Sequence, residues 1–277
     1  MRYKIITDSA SNLTNMDYQN IEGIQFEVAP LTIHIQGKEF VDDGSIDNKE
    51  MLALLKEKDA VSSTSCPSPH EYLKRLVGAD KYIIITLTSK LSGSFNSANT
   101  AKMISKDKDN VIVIDSKAAL GSEELLVKKA IELIQSNTPF EKMESLLNKA
   151  VSETNLLFSI SNFESLVKSG RINKIIAFLA TKLKIKPLGI AKNGIIELKE
   201  KCRTNKGLMR SYLNEITKMS KHDQNTYCII SETENSTMAE ALKNLIQENF
   251  SQMKIVIKKN LGLCSYYARE GSLIVAF

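Results

Sequence analysis

The chain has 277 residues, 43% of them apolar and 25% charged, with a formal net charge of +5. That is the profile of a soluble globular protein, long enough for two domains. It excludes a membrane-embedded chain, because no run approaches the ~18–20 apolar residues of a span, and so mild a charge without any Trp for stacking gives no footing for nucleic-acid binding.

Met1-Arg2-Tyr3-Lys4 passes straight into strand-like Ile5-Ile6, without the long apolar region of a signal peptide, so the expected location is cytoplasmic. Cys66, Cys202, Cys228 and Cys264 lie far apart, and His34, His70 and His222 are equally scattered, which argues against a disulfide framework or a metal centre.

Tyr3–Thr7 reads as a buried strand ending in the oxygen-rich turn Asp8-Ser9-Ala10-Ser11. Ile24–Val28 and Leu31–Ile35 are further strand candidates around Pro30. Asp42-Asp43-Gly44 reads as an acidic turn rather than a metal site. Asp47, with Glu50 three residues on, reads as a cap for a helix over Asn48–Lys58.

The stretch Val61–Glu71, Val-Ser-Ser-Thr-Ser-Cys-Pro-Ser-Pro-His-Glu, carries five hydroxyls and two prolines. Ser68-Pro69-His70-Glu71 has the spacing of a capping box with Pro at the first helical position, so Ser68 is assigned to the cap and Glu71 to the returning bond. That leaves Ser62, Ser63, Thr64 and Ser65 on an extended lead-in. A short helix over 71–77, a strand over Tyr82–Leu87 and a helix over Phe95–Ile104 follow. Next come a strand over Val111–Ile114 and helices over Gly121–Ser136 and Thr138–Val151. Such alternation implies a parallel sheet.

From about Asn155 the rhythm changes. Leu156–Ile160 is strand-like, and Ser161-Asn162-Phe163-Glu164 has capping-box spacing for a helix ending near Gly170, which suits a left-handed cap. Lys182–Lys186 alternates strictly, as a half-exposed strand does, and Asn193-Gly194 is a two-residue hairpin signal leading into Ile195–Lys199. A helix over Asn205–Ser220, a strand over Thr226–Ile230, a helix over Ser236–Phe250 and strands over Lys254–Ile257 and Ser272–Ala276 complete the chain. The expected fold class is α/β. An N-terminal domain over 1–152 has a parallel sheet in an α/β/α arrangement, and a C-terminal α/β domain over 153–277 has a mixed sheet.

The phosphate-loop, dinucleotide and nucleophile-elbow motifs are all missing. Two hydroxyl clusters remain, Ser62–Ser65 and Leu91-Ser92-Gly93-Ser94. The second sits where a strand hands over to a helix, with its amides at the positive end of the helix dipole and Gly93 permitting close backbone approach. Either cluster alone is most simply a helix cap. Together, at the carboxyl ends of consecutive α/β elements, they point to one anion-binding mouth.

These segments resemble a known family. Thr64-Ser65-Cys66-Pro67-Ser68-Pro69 and Leu91-Ser92-Gly93-Ser94-Phe95-Asn96-Ser97-Ala98 are similar to the two signature segments of DegV proteins, the bacterial fatty-acid-binding proteins that include the FakB subunits of fatty acid kinase. Ile5–Ser11, Val113–Ser116, Ser169-Gly170-Arg171-Ile172 and Ile185–Leu188 resemble further family segments in the same order. The resemblance implies a long-chain fatty acid held between the two domains by a carrier that is not an enzyme and needs no cofactor. Thr64 and Ser92 would hydrogen-bond the carboxylate, with Ser65 and Gly93 beside them. Arg171 matches a family arginine tied to charge complementarity or partner contact, and a fatty acid kinase subunit is the implied protein partner. Cys66 stands where the family usually has Gln. Tyr267 stands where it has His, and Arg269-Glu270 stand for Gly-Pro.

Three other readings stay open. One is a non-binding or regulatory member of the family. Another is an enzyme, either like the dihydroxyacetone kinases or a serine hydrolase pairing Ser92 with His34 or His70. The third concerns nine Lys/Arg between Lys182 and Arg210, opposed by Glu197 and Glu200, which would form either a solvated hairpin face or a transient contact with an anionic membrane or a kinase.

Overall fold

The computed structural model describes residues 1–172, 185–220 and 227–277. They form two compact units, one of 1–154 with 261–263, the other of 155–260 with 264–277.

The first unit is built on four parallel strands, β1 (Tyr3–Asp8), β2 (Ile24–Ala29), β6 (Lys81–Thr86) and β7 (Val111–Asp115), in the order β2-β1-β6-β7. Their near-continuous apolar sequence follows from burial on both faces. Alternate residues serve opposite cores. Ile5, Ile83, Ile85, Ile112 and Ile114 pack on one side against α4 (Gly121–Gln135) and α5 (Phe140–Glu153), through Leu126, Leu133, Met143 and Leu147. On the other side Ile6, Tyr82, Ile84 and Val113 meet Tyr72 of α2 (Pro69–Leu73) and Ala98 and Ala101 of α3 (Ser94–Ile104).

A three-stranded antiparallel sheet, β4-β3-β5, joins this unit: β3 is Thr32–Ile35, β4 is Lys38–Val41 and β5 is Ser62–Ser65. The hydroxyl lead-in is therefore an edge strand, with Thr64 opposite Ile33. Two helices are shorter than their sequences suggest. Asp47 does cap α1 (Asn48–Leu54), accepting the amides of Lys49 and Glu50, but the helix stops at Leu54 because the polar Lys56–Asp59 segment offers no further apolar face. Likewise α2 ends at Leu73. Ser68 accepts the Glu71 amide as expected, whereas the Glu71 carboxylate turns along the helix to Lys74 and Arg75 rather than back to the cap. An ion pair with i+3 and i+4 wins over the reciprocal bond.

The second unit holds a mixed sheet in the order β10-β9-β8-β13-β11-β12. Its strands are β8 (Leu156–Ser159), β9 (Lys186–Lys192), β10 (Ile195–Cys202), β11 (Tyr227–Thr233), β12 (Lys254–Lys259) and β13 (Ser272–Ala276). Among the described strands of this sheet, β11 and β12 alone pair in parallel. Asn193 and Gly194, at φ +51° and +83°, make the tight β9–β10 hairpin. Helices α7 (Asn205–Met219) and α8 (Ser236–Asn249) bury Leu208, Tyr212, Ile216, Leu242 and Ile246 against Leu188, Cys228, Ile230, Leu273 and Val275. Lys182 and Lys184 of the alternating stretch lie outside the described residues, and β9 begins at Lys186.

Helix α6 (Glu164–Lys168) departs from the expected capping box. The amide of Glu164 is accepted by Asn162 Oδ1, while Ser161 Oγ donates to the carbonyl of Glu270. Helix α9 (Gly262–Ala268) precedes β13. No helix among the described residues is long and apolar enough to cross a membrane.

Candidate functional site

The carboxyl ends of β1 and β6 point to where α3 starts. Gly93 occupies the N-cap of α3 in an ordinary right-handed conformation (φ −76°) and has no side chain with which to cap. Ser92 takes over that role: its Oγ accepts the amide of Ser94 at 3.2 Å and lies 3.0 Å from Ser94 Oγ. Ser92 is half-buried, whereas Ser94 is fully buried.

The first hydroxyl cluster reaches the second through Cys66. A Cβ placed on Gly93 would stand 2.9 Å from Cys66 Sγ, and that sulfur lies 3.9 Å from Ser97 Oγ on α3. A side chain on Gly93 would therefore crowd the Cys66 thiol. The contact sets the half-buried Thr64, two residues before Cys66, and Ser92, one residue before Gly93, on neighbouring segments. Ser65 is exposed. Its Oγ is 3.5 Å from His34 Nε2, whose Nδ1 is 3.9 Å from Glu39. That alignment is solvent-facing and too loose for a nucleophile with its base.

Behind Ser94 lies a group of polar side chains that pattern reading treated as ordinary. Asp8 ends β1 fully buried, its Oδ1 accepting the amide of Ala10 at 3.1 Å and its Oδ2 that of Leu87 at 3.0 Å. Burial pushes its carboxyl up to about 7, against the pull of those two amides and of the Ser94 hydroxyl beside it. Glu123, in the first turn of α4, is equally buried and faces Asp8, with a hydrogen bond between the two carboxyls. Burial first, and the Asp8 charge second, hold its carboxyl well above the usual range. Tyr72 is fully buried near Asp8, with its hydroxyl against that of Ser94. Glu123 was hidden in the sequence because an acid in a helix's first turn is usually a solvated dipole partner.

In the second unit, half-buried Arg171 follows Gly170 at φ +73°, and its guanidinium donates to the carbonyl of Ser169 at 3.0 Å. Tyr267 lies half-buried on α9, edge-on to Tyr266 with ring centroids 4.8 Å apart. The loop after it is fastened rather than open. Arg269 holds φ +62°, and its buried guanidinium donates to Ser165 Oγ at 2.8 Å. The seven described cations of the basic strip are exposed, with Lys199 paired to Glu215 at 3.1 Å and Lys192 near Glu197 at 3.8 Å. Among the described residues no cluster of three or more His, Cys, Asp or Glu could hold a metal ion.

A parallel-sheet unit with hydroxyl and amide donors gathered at the ends of its strands, followed by a mixed-sheet unit, defines a two-unit α/β protein. The chain belongs to the DegV family, whose model, described as that of an uncharacterised protein, matches residues 2–277. A DegV domain-containing protein of Streptococcus pneumoniae strain R6 is 34% identical over the whole chain and 99% of its own length. The fatty acid kinase (Fak) B3 protein of S. pneumoniae, solved loaded with linoleic acid, is 33% identical. It covers 100% of this chain and 99% of its own, at a TM-score of 0.94. A DegV family protein from Eubacterium eligens loaded with heptadecanoic acid is 27% identical and covers 99% of this chain and 98% of its own, at a TM-score of 0.91.

Proposed function

We propose that this protein binds one long-chain fatty acid and acts as its carrier, presenting the carboxylate to a fatty acid kinase, and that it is not itself an enzyme. The observation that carries the reading is the end-to-end likeness, at a TM-score of 0.94 and 33% identity, to a kinase B3 protein loaded with linoleic acid.

The local chemistry supports it. Thr64 and Ser92 supply neutral hydroxyl donors on segments joined at Cys66 and Gly93. A neutral pair orients a carboxylate that must later leave or react, where a buried salt bridge would hold it against release. Burying ~14 methylenes yields on the order of 11 kcal/mol gross, much of it lost to ordering. One hydroxyl–carboxylate bond adds only ~1.5–3 kcal/mol. The acyl chain therefore sets most of the affinity, and the hydroxyls set the direction of the head group. Arg171 is assigned to charge complementarity with the kinase, and Tyr267 offers a phenol that donates without carrying charge.

Calorimetric titration of delipidated protein with oleate tests the assignment. Wild type should bind more tightly than the Thr64→Val/Ser92→Ala double variant, and equal affinities would remove the head-group role.

A further inference from the structure

The hydroxyl that faces the ligand is wired to a buried acid pair. Ser92 Oγ and Ser94 Oγ stand 3.0 Å apart, so one of them donates to the other. Ser94 is buried against Asp8, and Asp8 against Glu123. Both oxygens of Asp8 accept backbone amides, which favours the charge there, while Glu123 keeps its proton and donates it in a hydrogen bond to the Asp8 carboxyl.

The direction of the chain then depends on Asp8. When Asp8 is ionised, it draws the Ser94 proton inward, and the Ser92 proton follows toward Ser94. Ser92 then presents lone pairs outward, which suits a carboxylate poorly. When Asp8 is neutral, Ser94 is released to donate to Ser92, and Ser92 donates outward. A second negative charge beside a buried carboxylate is also repelled strongly where water is excluded.

We propose that binding a carboxylate head group at Ser92 is coupled to uptake of one proton by the Asp8–Glu123 pair, with Ser94 as the relay that reverses donor direction between them. This rests on the fatty-acid reading given above. The proton comes from solvent and forms one O–H bond on Asp8, so one negative charge enters the site as another is neutralised. Asp8 and Ser94 are positioning residues, acting on the ligand only through Ser92.

The groups facing the pair fit this role. Glu123 comes from α4, Tyr72 from α2 and Ser94 from the start of α3, while Asp115 at the end of β7 adds negative charge near Glu123, and Cys66 lies near Tyr72. The Tyr72 hydroxyl, against that of Ser94, is placed to donate to it when Ser94 turns outward. Asp8 titrates in the range where the switch would operate.

The test is titration of the delipidated full chain with carboxyl-13C oleate between pH 6.5 and 8.5, in buffers of different ionisation enthalpy. The expected result is uptake approaching one proton per oleate above pH 7, with affinity falling by up to about tenfold per pH unit. The labelled carbon should keep its carboxylate shift throughout. In Asp8→Asn the proton uptake should vanish. Binding without proton uptake, unchanged uptake in Asp8→Asn, or a shift to the neutral acid on the ligand would each overturn the coupling while leaving the carrier reading intact. No oleate binding at any pH would overturn the carrier reading and the coupling with it.

Discussion

Cys66 Sγ occupies the space that a side chain on Gly93 would need, 2.9 Å from the position of its Cβ. This contact, rather than any backbone strain, ties the two hydroxyl segments together. Gly93→Ala should therefore destabilise the first unit by ~1–3 kcal/mol through overpacking. Cys66→Ala alone should cost about 1 kcal/mol or less, and adding it to Gly93→Ala should restore most of the loss. Chemical denaturation of the four proteins measures the coupling, and strictly additive effects would show that the two residues do not compete for space.

Head group and tail make separable contributions. Across laurate, myristate and palmitate, affinity should climb steeply with each added pair of methylenes, on the order of 0.8 kcal/mol gross per methylene. The penalty for Ser92→Ala or Thr64→Val should stay near ~1–3 kcal/mol at every length. A penalty that scales with chain length would place these residues along the tail.

Much of this arrangement is legible in the sequence, because it rests on local rules. The runs Ile5-Ile6 and Ile83-Ile84-Ile85 announce a doubly covered parallel sheet, and Asn193-Gly194 announces a hairpin, since each is decided by neighbours in the chain. Less is legible where distant partners decide. Ser62–Ser65 reads as an extended lead-in, and only β3 makes it a paired edge strand. Ser161 is drawn away from the helix it precedes by the carbonyl of Glu270, 109 residues on. Asp8 and Glu123 look like a turn acid and a helix-end acid, and only the closing of β1 on α4 makes them a buried pair.

Asp42 gives a pH signature independent of the ligand. Burial lifts its carboxyl to about 6, against the Ser9 hydroxyl and the Leu263 amide, with the charge of Asp43 adding to the rise. A raised folded-state value means that the folded chain binds a proton more tightly than the unfolded one. Wild-type stability from this group is therefore fully present below about pH 4 and is lost as pH rises through about 6, by about 2–3 kcal/mol. Asp42→Asn, neutral throughout, should flatten that part of the stability–pH curve. Parallel curves for the two proteins would contradict the assignment.

The loop after Tyr267 offers a test of how its unusual sequence is accommodated. Arg269 adopts a left-handed conformation that favours glycine, yet its guanidinium is buried on Ser165. Arg269→Ala keeps the backbone cost and loses the contact, so it should lower stability by ~1–3 kcal/mol. Arg269→Gly relieves the backbone and should be milder by about 1 kcal/mol. Thermal denaturation ranks them, and a glycine variant as unstable as the alanine one would mean that backbone strain is not relieved there.

The central claim is that this chain holds a fatty acid. Native mass spectrometry of the protein purified from cells tests it most directly. The account predicts a mass excess equal to one long-chain fatty acid, lost on delipidation and regained on adding oleate. A clean apo mass, unchanged after oleate is added, would contradict it.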